Sequence, residues 1–390
     1  MVFLSKKMEQ FQTSIFNELS AYKTKKIKEG SSLIDLSIGS PDLPPPSFIV
    51  EELVSQVQDL SQYKYALEGI TELHEAIHSY YIRHYHVEVH AQHEILSLMG
   101  SQDGLVHLPS VFANEGDVIL VPNPGYTAYA AGISLAGAIP YSMPLSEENQ
   151  FLPNFEAIPS EIREKAKLMI LNVPGNPIPN MADKDYFEKL IHFAKKHDIF
   201  ILHDFAYSEL YYEKKPISLL SIEGAKEVAI EFNSLSKSFN MAGCRIGYVV
   251  GNATVIQALK RLKSNLDFGV FIPIQKAAAR ALNDRSNFSD HLRDIYRKRR
   301  DTLVSGLHSI GWQVDQPQAS MFVWAKIPFE ISSLELSYRF IDETGVVMIP
   351  GTAFGSEGEG YMRMAFVQDE VVLQTAVNQL KTSSFFKTLS

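Results

Sequence analysis

The chain has 390 residues, 45% hydrophobic and 21% charged, with 22 Gly and 19 Pro; this excludes disordered, collagen-like and coiled-coil chains and leaves room for two to three domains. Thirty-six basic against 45 acidic residues give a net charge of -9, which opposes nonspecific binding to nucleic acid or an anionic membrane. A single cysteine, Cys244, excludes an intrachain disulfide and fits a reducing, cytoplasmic setting.

No secretory signal is expected, because no long apolar run follows Lys6 and Lys7. Residues 11–28 read as a helix with Lys23, Lys25, Lys26 and Lys28 near its end, a solvated basic terminus before Gly30. Residues 33–38 form a short apolar strand, and GSPDLPPP from Gly39 is a stiff loop, since proline fixes φ and lacks an N–H. Residues 71–84 place Leu73, Ala76, Ile77, Tyr80 and His84 at helical spacing. His84, His86, His90 and His93 lack a cysteine or a well-spaced carboxylate and read as a surface cluster, so no metal is expected. Short apolar runs recur at 95–99, 117–121, 167–171, 199–202, 228–232 and 246–250, each ending in Gly, Pro, Asn, Asp or Ser. The longest weakly polar stretch, 128–141, is too short for a membrane span of roughly 18 residues. Phe187, Leu190, Ile191 and Ala194 mark one face of a helix ending in Lys195 and Lys196. Strands separated by helices predict an α/β fold with a mainly parallel sheet, whose ligands sit beyond the carboxyl ends of the strands. After about residue 280, a basic helix at 291–300 precedes strands at 321–327 and 346–349, which predicts a smaller α+β domain.

The strand ends carry the chemistry. Gly100-Ser101-Gln102-Asp103-Gly104 opens a helix and offers N–H groups and a hydroxyl to an anion. Pro122-Asn123-Pro124-Gly125-Tyr126 is a rigid turn that can hold the Tyr126 ring over a flat ligand. Asn176, in the loop LNVPGNPIPN, and Asp204 with Tyr207 complete the same edge. In SLSKSFNMAGCRIG, from Ser234, Lys237 sits among hydroxyls and small residues, the sheltered setting that an amine nucleophile forming a Schiff base requires. Arg245 follows eight residues later and suits a dianionic phosphate.

These segments, with LSIGSPDLPPP, HDFAYSEL and IPGTAFGSEGEGYMRMAF, resemble the class I aminotransferases, fold type I pyridoxal-phosphate enzymes, in the group around LL-diaminopimelate, alanine and aspartate aminotransferases. The resemblance implies a large domain, 33–280, whose mainly parallel seven-stranded sheet lies between helices. It also implies a small α+β domain, 281–390, and an N-terminal segment, 1–32, packing with the small domain. Lys237 would hold pyridoxal phosphate as an aldimine and, once freed, shuttle a proton. Asp204 would pair with the pyridine nitrogen, Asn176 and Tyr207 with the ring O3′, and Tyr126 would stack on the ring. Ser101, Gln102, Ser234, Ser236 and Arg245 would surround the phosphate. Arg363 would grip the substrate α-carboxylate, with Gly39 and Asn176 also approaching the substrate. Tyr65, with Tyr63 as the alternative, would reach the phosphate of the neighbouring subunit in a homodimer.

The implied activity is amino transfer between an L-amino acid and a 2-oxo acid, within amino acid metabolism and biosynthesis. A carbon–sulfur β-lyase is the alternative on the same scaffold, and a non-catalytic ligand-binding homologue would typically lose the lysine. Two departures from the family pattern stand out: Ile178-Pro179 stands where Thr-Gly is usual, and Cys244 where Trp is common. Lys260, Arg261 and Lys263 are candidates for a distal substrate carboxylate, with an exposed basic helix as the simpler reading.

Overall fold

The computed structural model describes residues 2–5, 8–9, 11 and 14–387. Lys6, Lys7 and residues 12 and 13 of the expected opening helix lie outside the described residues. In chain order the strands are β1 (Ile34–Asp35), β2 (Ile95–Leu98), β3 (Val118–Asn123), β4 (Ile139–Pro144), β5 (Ala166–Asn172) and β6 (Phe200–Asp204). They continue with β7 (Ala229–Ser234), β8 (Gly247–Gly251), β9 (Phe322–Lys326), β10 (Val346–Val347), β11 (Ile349–Pro350) and β12 (Tyr361–Ala365).

A seven-stranded sheet runs in the order β2-β8-β7-β6-β5-β3-β4. Its neighbours are parallel except at β8, which is antiparallel to β2 and β7. Leu168, Ile170 and Leu202 pack into one layer and Met169, Leu171 and Ile201 into the other, so these strands read as unbroken apolar runs because both faces are covered. The edge strand β4 escaped the sequence reading for the opposite reason: most of it is solvent-facing, and Pro140 and Pro144 interrupt its pattern.

The C-terminal part builds a second core around Trp312, Tyr296, Phe322, Phe340 and Phe366, beneath an antiparallel sheet in the order β11-β12-β9. The basic helix expected at 291–300 extends over Phe288–Ser309. The strand expected at 346–349 is two: β10 pairs with β1 and β11 with β12. Residues 34–36, expected in the larger unit, are therefore stitched into the smaller one: the Leu36 N–H donates to Val347 O at 2.9 Å and its carbonyl accepts from Ala365 N at 2.7 Å. A two-residue strand carries too little pattern to announce its partner.

The opening helix, Ile15–Lys28, packs Leu19 into a cluster with Ile341, Val347 and Trp324. Two of its lysines, expected to be solvated, have partners: Lys26 meets Asp342 at 2.6 Å and Lys23 meets Asp35 at 2.7 Å. Lys263, read as part of an exposed basic helix, is 1% exposed. His84, read as a surface residue, is half-buried beside Glu209 and Lys215, and burial pushes its imidazole down to about 4. Among the described residues no group of three or more His, Cys, Asp or Glu is arranged to hold a metal, and no helix is long and apolar enough to cross a membrane.

Behind the central sheet, the fully buried Glu231 accepts from Tyr81 Oη at 2.7 Å, Ser218 Oγ at 3.0 Å and Leu219 N at 3.0 Å, and meets His203 Nδ1 at 3.0 Å. The other His203 nitrogen lies 2.9 Å from Val173 O, pinning the turn that leads to Asn176. Truncating the carboxylate leaves several buried donors unpaired, each costly without a partner. Glu231→Ala is expected to lower folding stability by about 3–5 kcal/mol, and Glu231→Gln by less. Urea denaturation with a loss below about 1 kcal/mol for Glu231→Ala would contradict this reading of the network.

Candidate active site

Strand register assembles the site. Asp204 ends β6 directly opposite Asn172, the end of β5. Ser234 ends β7 opposite Gly247, and Leu98, two residues before Gly100, is paired with that same Gly247 on its other side. Because β8 alone runs antiparallel, its start lies at this carboxyl edge, and Arg245, two residues earlier, joins groups that follow the parallel strands. The crossing is tight: a Cβ on Gly247 would come within 2.7 Å of Ser101 N, and one on Gly100, at φ +77°, within 2.4 Å of the Arg245 guanidinium.

Gly39, Ser101, Gln102, Tyr126, Asn176, Asp204, Tyr207, Ser234, Ser236, Lys237 and Arg245 line one cleft of about 450 Å³. Arg363 stands behind Asn176 and Gly39. Tyr65 lies elsewhere, 77% exposed, its ring 4.7 Å from that of Phe268. Tyr63 is tied down, donating its hydroxyl to Val57 O at 3.0 Å.

Lys237 follows β7 on the short helix Leu235–Ser238, which Ser234 caps by accepting from Ser236 N at 3.2 Å. Its Nζ donates to the Gly39 carbonyl at 2.6 Å. Burial, and then the charges of Arg363 and Arg245, push this amine down to about 8, while Asp204 opposes the shift. Relative to an ordinary lysine at 10.5, the free-amine fraction at pH 7 rises about 300-fold.

Asp204 is the counterweight and is itself under strain from burial, which holds its carboxyl above the usual range despite hydrogen bonds from Tyr129 Oη, at 2.7 Å, and Ala206 N. Arg363 donates to Asn176 Oδ1 at 2.8 Å and Ser37 O at 2.6 Å, both neutral acceptors, and its buried Nε has no partner. Phe322 and Phe354 flank the guanidinium at 4.4 and 4.9 Å, and burial lowers it to about 10. A buried cation without a carboxylate is a costly arrangement that an incoming anion relieves.

This donor set fits pyridoxal phosphate. A buried carboxylate can meet a protonated ring nitrogen, a sheltered amine can meet a carbonyl carbon, and Arg245 with Ser101, Gln102, Ser234 and Ser236 can meet a phosphate. Tyr126, whose hydroxyl donates to Gln102 Oε1 at 3.1 Å, supplies an aromatic wall. The departing segment keeps its asparagine in the cleft: the Asn176–Pro177 peptide is cis, and Ile178 is buried beside Trp324 and Phe354. Cys244 is half-buried and its thiol is pushed up by burial.

Sequence reasoning missed three supports. Tyr129 holds the Asp204 carboxylate, although its place inside an apolar helix gave no polar signal. Asn172 donates to Asp204 O at 2.9 Å and accepts from Asn176 N at 2.9 Å; its position at a strand end was the available clue. Asp42, in the Pro-rich loop, is gripped by both terminal nitrogens of the buried Arg299 at 2.8 and 2.9 Å, which ties the loop carrying Gly39 to the long C-terminal helix.

Residues 31–380 match the family model for aminotransferase class I and II. The LL-diaminopimelate aminotransferase of Oleidesulfovibrio alaskensis is 41% identical over 369 residues, covering 94% of this chain and 95% of that one. That of Halothermothrix orenii is 42% identical over 371 residues, 95% of each. Among solved structures, substrate-bound BacF from Bacillus subtilis superposes with a TM-score of 0.94 at 37% identity, over 98% of both chains. A single mutant of Thermus thermophilus aspartate aminotransferase does so with 0.92 at 27%, over 97% of this chain and 99% of that one. With this cleft at the edge of this sheet, the chain belongs to the class I and II aminotransferases, the pyridoxal-phosphate-dependent enzymes that move amino groups between amino acids and oxo acids.

Proposed function

We propose that the cleft at the carboxyl edge of the sheet is the transamination site, with Lys237 as its reacting amine and Arg363 as the receptor for the α-carboxylate of an L-amino acid. The carrying observation is the half-buried Lys237 amine, held in one cleft with Asp204 and Arg245 while Arg363 stands behind without a carboxylate partner. Bound there, pyridoxal phosphate supplies the carbonyl that receives the amino group and an electron sink for the Cα electrons.

The chain's own groups do the rest. Arg245, Ser101, Gln102, Ser234 and Ser236 would hold the phosphate, and Tyr126 would cover the ring. Asp204, steadied by Tyr129, would hold a proton on the ring nitrogen, and Asn176 and Tyr207 would meet the ring hydroxyl. Arg363 fixes the substrate carboxylate through its planar fork. Lys237 Nζ would take the proton from the substrate Cα and hold it for return, general acid/base work at one nitrogen. The Gly39 carbonyl, 2.6 Å from that nitrogen, is the acceptor that holds the free lysine in the cleft.

LL-diaminopimelate is the first donor to examine, given the names of the relatives. A homodimer belongs to the same reading: Leu60, Tyr63, Tyr65, Leu67, Leu266 and Phe268 are exposed to between 40 and 83%, more apolar surface in neighbouring segments than a monomer normally presents. Tyr65 would complete the partner's phosphate site. A cytoplasmic setting is supported by the lone, unpaired Cys244. The same reading divides the chain at about residue 280, with the helix Ile15–Lys28 and the β1 segment on the smaller part.

Screening amino donors against a 2-oxo acid should give turnover that Lys237→Ala reduces at least about 1,000-fold; a variant as fast as the wild type removes Lys237 from the mechanism. Arg363→Lys keeps the charge but loses the fork, so KM is expected to rise roughly 10–100-fold with a smaller change in kcat, and an unchanged KM contradicts the carboxylate assignment. The amine is reactive when neutral, so the rate at which cofactor-free protein captures pyridoxal phosphate should climb with pH to about 8 and level off above it. A rate still climbing at pH 10 would mean an ordinary lysine.

A further inference from the structure

Lys263, the last residue of the helix Ala253–Lys263, is a lysine with 1% exposure that the proposed mechanism does not use. Its Nζ bonds the carboxylates of both Asp103 and Asp267, the latter at 2.5 Å. Asp103 directly follows Ser101 and Gln102, accepts from Met99 N at 3.0 Å and lies 2.9 Å from His107 Nδ1. Asp267 accepts from Gly269 N at 2.7 Å. Gly269 is bridged to Ala66, whose N–H donates to Phe268 O at 3.3 Å, and Phe268 carries the ring of Tyr65.

A continuous set of bonds thus runs from the Ser101–Gln102 helix start, through one buried ammonium, to the exposed turn on which Tyr65 rests. A buried ammonium needs paired carboxylates, and these two need it equally, because without it they face each other as like charges away from water. Whatever separates them moves either the helix start or the turn.

We propose that Lys263 is a positioning residue for the cofactor phosphate. It locks the helix start bearing Ser101 and Gln102 to the turn at 266–269, so that a subunit's own phosphate cradle and the tyrosine it lends to its neighbour are set as one body. This rests on the phosphate site and the dimer proposed above. It also removes Lys263 from the candidates for a distal substrate carboxylate, since its side chain is buried and its charge is already met by two carboxylates of the chain.

The test compares two probes: pyridoxal phosphate, and pyridoxal, which lacks the phosphate, each titrated into cofactor-free wild type and Lys263→Met by visible absorbance. Pyridoxal phosphate is expected to bind Lys263→Met about 10–100-fold more weakly, the range for residues that orient a binding shell, with pyridoxal affinity unchanged. Equal losses for both probes, or no loss for either, overturn the positioning role. If Lys263→Met does not fold, Asp267→Asn carries the test: it frees the turn while keeping the Lys263–Asp103 bond, and the same phosphate-selective loss is expected. Should the wild type itself bind both probes equally, the phosphate site fails, an outcome distinct from failure of Lys263.

Discussion

Three cations, Lys237, Arg245 and Arg363, converge on one edge of the sheet, against a single buried carboxylate, Asp204. Arg363 is buried, Lys237 half-buried and Arg245 exposed, and in the proposed reading the anionic ligands bring the negative charge this set lacks. Burial, and then the two guanidiniums, disfavour a positive charge on Lys237 and lower its amine. A net charge of -9 over the whole chain and a cationic cleft are compatible because the local field is set by residues within a few ångströms.

The rest of the architecture keeps these groups from separating. Antiparallel β8 delivers Arg245 to the edge where parallel strands deliver Asp204 and Lys237. The segment at 34–44 then binds the two parts of the molecule together. Its start pairs with β10, Ser37 O takes a bond from Arg363, Gly39 O from Lys237, Asp42 holds Arg299, and Pro44 O accepts from Asn240. Arg363, Lys237 and the helix Phe288–Ser309 are thus referenced to one short strap of backbone. Its prolines suit this work because a chain with few accessible conformations loses little entropy when fixed.

Most of this was legible in the sequence where local pattern and chemistry coincide. The parallel strands are apolar runs, two of them closed by Asp204 and Ser234, and Lys237 stands among small and hydroxyl residues as a sheltered amine should. What escaped depends on partners distant in the chain. The edge strand β4 has no apolar pattern to detect, and β1 is defined only by β10, more than 300 residues away. Lys263 looks like any helix-end lysine until Asp103 and Asp267 meet it. Tyr129 reads as core until its hydroxyl finds Asp204.

The central claim is that the cleft transfers an amino group and does not cleave its substrate. Mixing cofactor-loaded protein with a turned-over donor in the absence of any 2-oxo acid, and quantifying oxo acid and ammonia, tests it most directly. Transfer predicts a single burst of one oxo acid per site, no ammonia, and resumption when an oxo acid is added. Continuous release of ammonia and oxo acid without an acceptor would contradict it.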